Sequence, residues 1–94
     1  MILGTFIKQP ADTKDYDIDY SEWLTLNDNV ESVVVAVEGT DALLSVVSTF
    51  IVDPIVKIWL SGGTAGVTYK VTCTMTSADG RIQQDEFKIK VKEY

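Results

Sequence analysis

Asp15, Asp17 and Asp19 form the arrangement in this chain that most invites chemistry. Carboxylates at alternate positions can gather a hard cation such as calcium, which takes oxygen ligands. The helix–loop–helix calcium pattern needs a glycine directly after the third acid, and Tyr20 stands there instead. A solvated acidic face is therefore preferred over an irregular calcium site. The second such stretch is Ser61-Gly62-Gly63-Thr64-Ala65-Gly66. Glycines this dense can cradle a phosphate, but a phosphate loop also needs a Lys-Ser or Lys-Thr pair and a following helix. Neither follows, so the stretch reads as a corner where the chain crosses between two sheets.

The remaining catalytic inventory is short. The chain has no histidine and one cysteine, Cys73. That excludes the usual zinc sites and a Ser-His-Asp triad. A lone cysteine also rules out an internal disulfide, and strand alternation points Cys73 inward, where a thiol packs as a small hydrophobe. Two carboxylates could cleave a glycosidic bond, yet the acids sit on loops and beside turns with no polar pocket implied. The expectation is a protein without enzymatic activity, cofactor or metal.

The elements that hold these residues read as strands. Tyr69, Val71, Cys73 and Met75 alternate with Lys70, Thr72, Thr74 and Thr76, the period-two pattern of a half-buried strand with a β-branched outer face. Ser77-Ala78-Asp79-Gly80 supplies a turn. Phe87, Ile89 and Val91 then alternate with Lys88, Lys90 and Lys92, completing a C-terminal antiparallel hairpin. Leu60, the glycine corner and then Tyr69 resemble the tyrosine corner of immunoglobulin-like sandwiches, in which the Tyr hydroxyl bonds back to upstream backbone.

Earlier in the chain, Ile2 to Ile7 reads as a short edge strand stopped by Gln9-Pro10. If Asp12 to Asp19 is extended, its three acids share one face while Tyr16, Ile18 and Tyr20 take the other. Ser21-Glu22-Trp23-Leu24 reads as one helical turn capped by Asp19 or Ser21, with Trp23 and Leu24 plugging one end of the fold. Glu31 to Glu38 is apolar on both faces, as a central strand would be. Ala42 to Val52 is one long strand or two short ones. Asp53-Pro54 turns the chain. Ile55 to Leu60 places Val56, Ile58 and Leu60 on one face and Ile55, Lys57 and Trp59 on the other. The pattern predicts one domain over 1–94, an all-β, immunoglobulin-like antiparallel sandwich of about seven strands.

Composition narrows the partners. The formal net charge is −6, from 14 acidic and 8 basic residues. Such a chain lacks the clustered Lys and Arg that nucleic-acid phosphates or an anionic membrane surface require. No apolar run approaches the ~20 residues of a membrane helix. Met1 to Phe6 has no basic region ahead of an apolar run, so a signal peptide is not expected and synthesis in the cytoplasm is.

Several segments together resemble a family of small tailed-bacteriophage virion proteins, the fibre–tail adaptors. They are Lys8-Gln9-Pro10, Asp15-Tyr16-Asp17-Ile18-Asp19-Tyr20-Ser21-Glu22-Trp23-Leu24, Leu60-Ser61-Gly62-Gly63-Thr64-Ala65-Gly66 running into Tyr69, and Thr76-Ser77-Ala78-Asp79-Gly80-Arg81. The resemblance implies a structural role in the virion: an immunoglobulin-like domain, in a homo-oligomeric ring, joining a tail or neck component to fibres or tailspikes. It implies no catalytic residues. The residues expected to meet partners are Tyr16, Asp17, Asp19, Tyr20, Trp23 and Trp59. Trp59 faces outward beside Ile55, so either a partner or a loop must cover it. Two other functions fit the same composition: a capsid decoration protein, and a carbohydrate-binding module stacking a sugar on Trp23, Trp59 or Tyr94.

Overall fold

The computed structural model describes residues 2–93. Seven strands follow one another: β1 Ile2–Lys8, β2 Thr13–Asp19, β3 Val30–Glu38, β4 Leu44–Val52, β5 Ile55–Gly62, β6 Thr68–Ser77 and β7 Ile82–Val91. They form two sheets, of order β1-β7-β6-β3 and β2-β5-β4. Every pairing is antiparallel except β1 with β7, which is parallel. The fold is the all-β sandwich that the alternating pattern predicts.

The period of two decides what lies between the sheets. From β5, Val56, Ile58 and Leu60 are fully buried; from β6, Tyr69, Val71, Cys73 and Met75; from β7, Phe87, Ile89 and Val91. Ile18 on β2 and Tyr20 just beyond its end close the core. Cys73 is buried as expected, and burial pushes its thiol up from the ordinary value. The C-terminal hairpin is β6 paired with β7.

Two strand expectations need correcting or completing. β3 is an edge strand, not a central one. Val33, Val35 and Val37 do pack inward against Met75, Cys73 and Val71. The second apolar face, read as buried, is solvent-facing: Val34 is 69% exposed. β-branched residues suit a strand whichever face is wet, so valine content alone cannot separate edge from centre. Of the stretch Ala42 to Val52, Leu44–Val52 forms one strand, β4, irregular between Val46 and Ser48.

The segment after β2 makes a single turn. The carboxylate of Asp19 accepts from the Ser21 amide (2.9 Å), and the amides of Trp23 and Leu24 both donate to the Tyr20 carbonyl (3.0 Å each). Trp23 and Leu24 pack against the core, as the plug reading requires.

Candidate interaction groove and glycine corner

The sandwich is open along the side where β1 and β2 end their respective sheets. A cavity of about 300 Å³ lies there, lined by Leu3, Phe6, Tyr16, Ile18 and Phe87, with Asp15 and Asp17 at its rim. Its wall is a cluster of three rings: Phe6, Tyr16 and Phe87 have centroids 5.5–5.9 Å apart. A second hollow of about 260 Å³ continues it, sharing Leu3 and Ile18 and adding Asp19, Tyr20, Glu22, Trp23, Gln83 and Asp85. Together they make one groove running along the β1–β2 side.

Five of the six residues singled out from the sequence therefore line one continuous surface: Tyr16, Asp17, Asp19, Tyr20 and Trp23. Trp59 is not among them. It lies half-buried on the outer face of β5, in register between Asp15 on β2 and Ser48 on β4. Leu3 and Phe6, at 41% and 43% exposed, belong to the groove but carried no signal in the sequence beyond their hydrophobicity.

The polar groups of the groove are unevenly served. The Tyr16 hydroxyl is buried and finds no hydrogen-bond partner among the described residues. Burial raises its pKa, and the carboxylates of Asp12 and Asp15 push the same way. The Tyr20 hydroxyl donates to the Cys73 sulfur at 3.5 Å, and burial raises its pKa far above the ordinary value. Five carboxylates line the two hollows, and neither Lys nor Arg does.

The acidic stripe is not arranged for a cation. Lys57 reaches across from β5 to Asp15 (2.6 Å) and Asp17 (3.0 Å), and its ammonium holds the Asp15 carboxyl below the usual range. Asp19 is turned to the Ser21 amide. No group of three potential ligands able to hold a metal occurs among the described residues.

At the far end of β5 the glycine corner is tied to Tyr69. Its hydroxyl accepts from the Thr64 amide (2.9 Å) and donates to Asp41 (2.6 Å); Asp41 in turn accepts from the Thr64 hydroxyl (2.8 Å) and the Leu43 amide (3.1 Å). The bond back to upstream backbone is the tyrosine-corner contact expected from Leu60 to Tyr69. Gly63, at φ +99°, passes so close to β7 that a Cβ would lie 2.7 Å from Val91 Cγ2. Lys8 anchors the end of β1 to this corner: fully buried, its ammonium donates to the carbonyls of Gln9 (2.8 Å) and Gly62 (2.6 Å). That contact gives the Lys8-Gln9-Pro10 segment a physical role.

On the opposite side of the sandwich, β4 carries no charged residue. Val47, Phe50 and Val52 are each more than half exposed there.

Comparison with known families gives a match over most of the chain. The sequence profile of a family described as podophage GP4 fiber-tail adaptor protein gp77 matches residues 8–90. No curated protein matches the chain.

Proposed function

The chain belongs to the podophage fibre–tail adaptor family, and from that premise we propose that it is a non-catalytic virion component joining a tail or neck protein to fibres or tailspikes. The observation that carries this reading is the family match, which runs through the groove-lining segment, the glycine corner and the C-terminal hairpin. The geometry supports it with two unlike surfaces on opposite sides of one block: an acid-rimmed groove at β1–β2 and an uncharged apolar edge at β4. An adaptor needs two different contacts. Tyr16, Asp17, Asp19, Tyr20 and Trp23 would serve a different virion protein. The β4 edge would serve further copies in a ring, with Trp59 on the adjoining outer face.

The strand order favours an immunoglobulin-type sandwich. That fold sets strands B, E and D on one sheet and C, F and G on the other. β2-β5-β4 and β3-β6-β7 follow those two orders. A sugar-binding role is less favoured, because Trp23 packs on the core and Trp59 is half-buried on another face. Tyr94, the third aromatic considered for stacking, lies outside the described residues.

The test is to locate and count the chain in purified particles. One or a few rings at the tail or neck are expected. Hundreds of copies over the shell would make it a decoration protein, and absence from particles would overturn both readings.

A further inference from the structure

The groove between β1 and β2 has the form of an unfilled strand position, and we propose that it receives an extended segment of another virion protein, apolar at alternate positions and carrying Lys or Arg beside them. The inference rests on the adaptor reading for the source of that segment.

The backbone argument comes first. In an immunoglobulin-type sheet the strand before B lies beside it. Here β1 crosses to the other sheet and pairs with β7, while β2 pairs with β5 alone. Both β1 and β2 are therefore end strands, and the cavity opens between them. An extended chain laid against such an edge gains main-chain hydrogen bonds, and alternate side chains enter the pocket behind it.

The side chains fit the same occupant. The pocket behind the edge is apolar, built on Phe6, Tyr16 and Phe87. The Tyr16 hydroxyl at the back of this pocket is buried and has no partner among the described residues, a costly state for a polar group.

Charge then selects the partner. Lys57 pairs with Asp15 and Asp17 at the rim, but five carboxylates along the groove outnumber that one base, so the groove favours a basic segment and repels an acidic one. A second copy is disfavoured as the source of that segment. Lys8 is buried, and Lys14, Lys57, Lys70 and Arg81 are in ion pairs. Lys88 and Lys90 sit on β7, which is already paired on both edges by β1 and β6, and the Lys92 amide just beyond it is bonded to the Lys8 carbonyl.

The experiment places a photo-crosslinking residue at Leu3 or, separately, at Glu22, in chains assembled into particles, with Lys90 on the outer face as control. Crosslinked peptides are sequenced by mass spectrometry. The proposal expects Leu3 and Glu22 probes to capture one Lys- or Arg-bearing segment of a different virion protein, and that capture to be lost when Asp17→Lys and Glu22→Lys are introduced with the probe at Leu3. Capture of another copy of this chain, capture of a segment without Lys or Arg, or no capture from assembled particles overturns it. A probe-bearing chain that folds but is excluded from particles supports it, provided the Lys90 control assembles. Should the Leu3 chain not fold, the Glu22 probe decides. Wild-type chain missing from particles would instead overturn the adaptor reading itself.

Discussion

The Tyr69 hydroxyl donates to Asp41 at 2.6 Å, joining residues 28 positions apart in sequence. The pair holds the glycine corner from two sides, since both partners also bind Thr64. Tyr69→Phe keeps the ring in the core but leaves the Thr64 amide without its acceptor and takes one of three donors from the Asp41 carboxylate. A loss of about 1–3 kcal/mol is expected, because one bond is to a charged group and one donor is left unpaired. Urea unfolding of the two proteins measures it. An unchanged midpoint would mean that the corner is held by packing alone.

The same pair makes stability depend on pH. The Tyr69 hydroxyl, then the Leu43 amide and the Thr64 hydroxyl, hold the Asp41 carboxyl below its ordinary value of 3.8. A carboxyl depressed in the folded state stabilises the fold above its unfolded pKa. That contribution is lost as pH falls through the folded value. Wild type should therefore lose stability below about pH 4 more steeply than Asp41→Asn, which should be the less stable of the two at neutral pH. Parallel acid limbs in thermal melts would contradict this.

Lys8 gives a slope of the same sign at high pH, from a different cause. Burial lowers its pKa from 10.5, against a smaller upward pull from Asp12. Between the lowered value and 10.5 the unfolded chain binds more protons than the folded one, so this residue makes stability rise with pH there. Other groups titrate nearby, so the observable is the difference between wild type and Lys8→Met, which should narrow or reverse in favour of wild type as pH rises through that window. Lys8→Ala, which also empties a fully buried site, should cost about 2–5 kcal/mol.

Much of this was legible in residue order, and the rest was not for identifiable reasons. Tyr69 after a glycine corner announces its hydroxyl's backbone bond, because that contact spans five positions. Asp41 looks like any turn acid, since its partner is far along the chain. Tyr16 and Ile18 face inward by simple alternation. That they border an open groove depends on β1 pairing in parallel with β7, and no local pattern encodes which sheet a strand will join. The valines of β3 misled for a related reason: both faces are apolar, but one packs and the other meets water.

The two glycines at the corner should separate sharply under substitution. Gly63→Ala adds a methyl 2.7 Å from Val91 Cγ2 and 3.4 Å from the Tyr69 ring, on a backbone at φ +99°. Overpacking and left-handed strain together should cost about 2–4 kcal/mol. Gly66 has a similar φ of +89° but open space where its Cβ would go, so Gly66→Ala should cost about 1–2 kcal/mol from strain alone. Equal losses would mean that the contact with β7 relaxes freely.

β4 bears on how copies meet one another. An exposed, uncharged apolar edge strand is a liability that soluble proteins usually blunt with charge. The β2 edge carries Lys14, Asp15, Asp17 and Asp19, which narrow it to a partner of matching charge, whereas β4 carries no charge at all. Copies carrying a net charge of −6 repel one another, and a contact free of charge is where that repulsion is least expensive. Phe50 is 54% exposed on this strand. Phe50→Lys should therefore leave stability within about 0.5 kcal/mol, as exposed substitutions do. It should also weaken any self-association seen by sedimentation of the wild type. Should the variant associate as strongly as the parent, copies meet elsewhere, and the β4 edge would be left for a different protein.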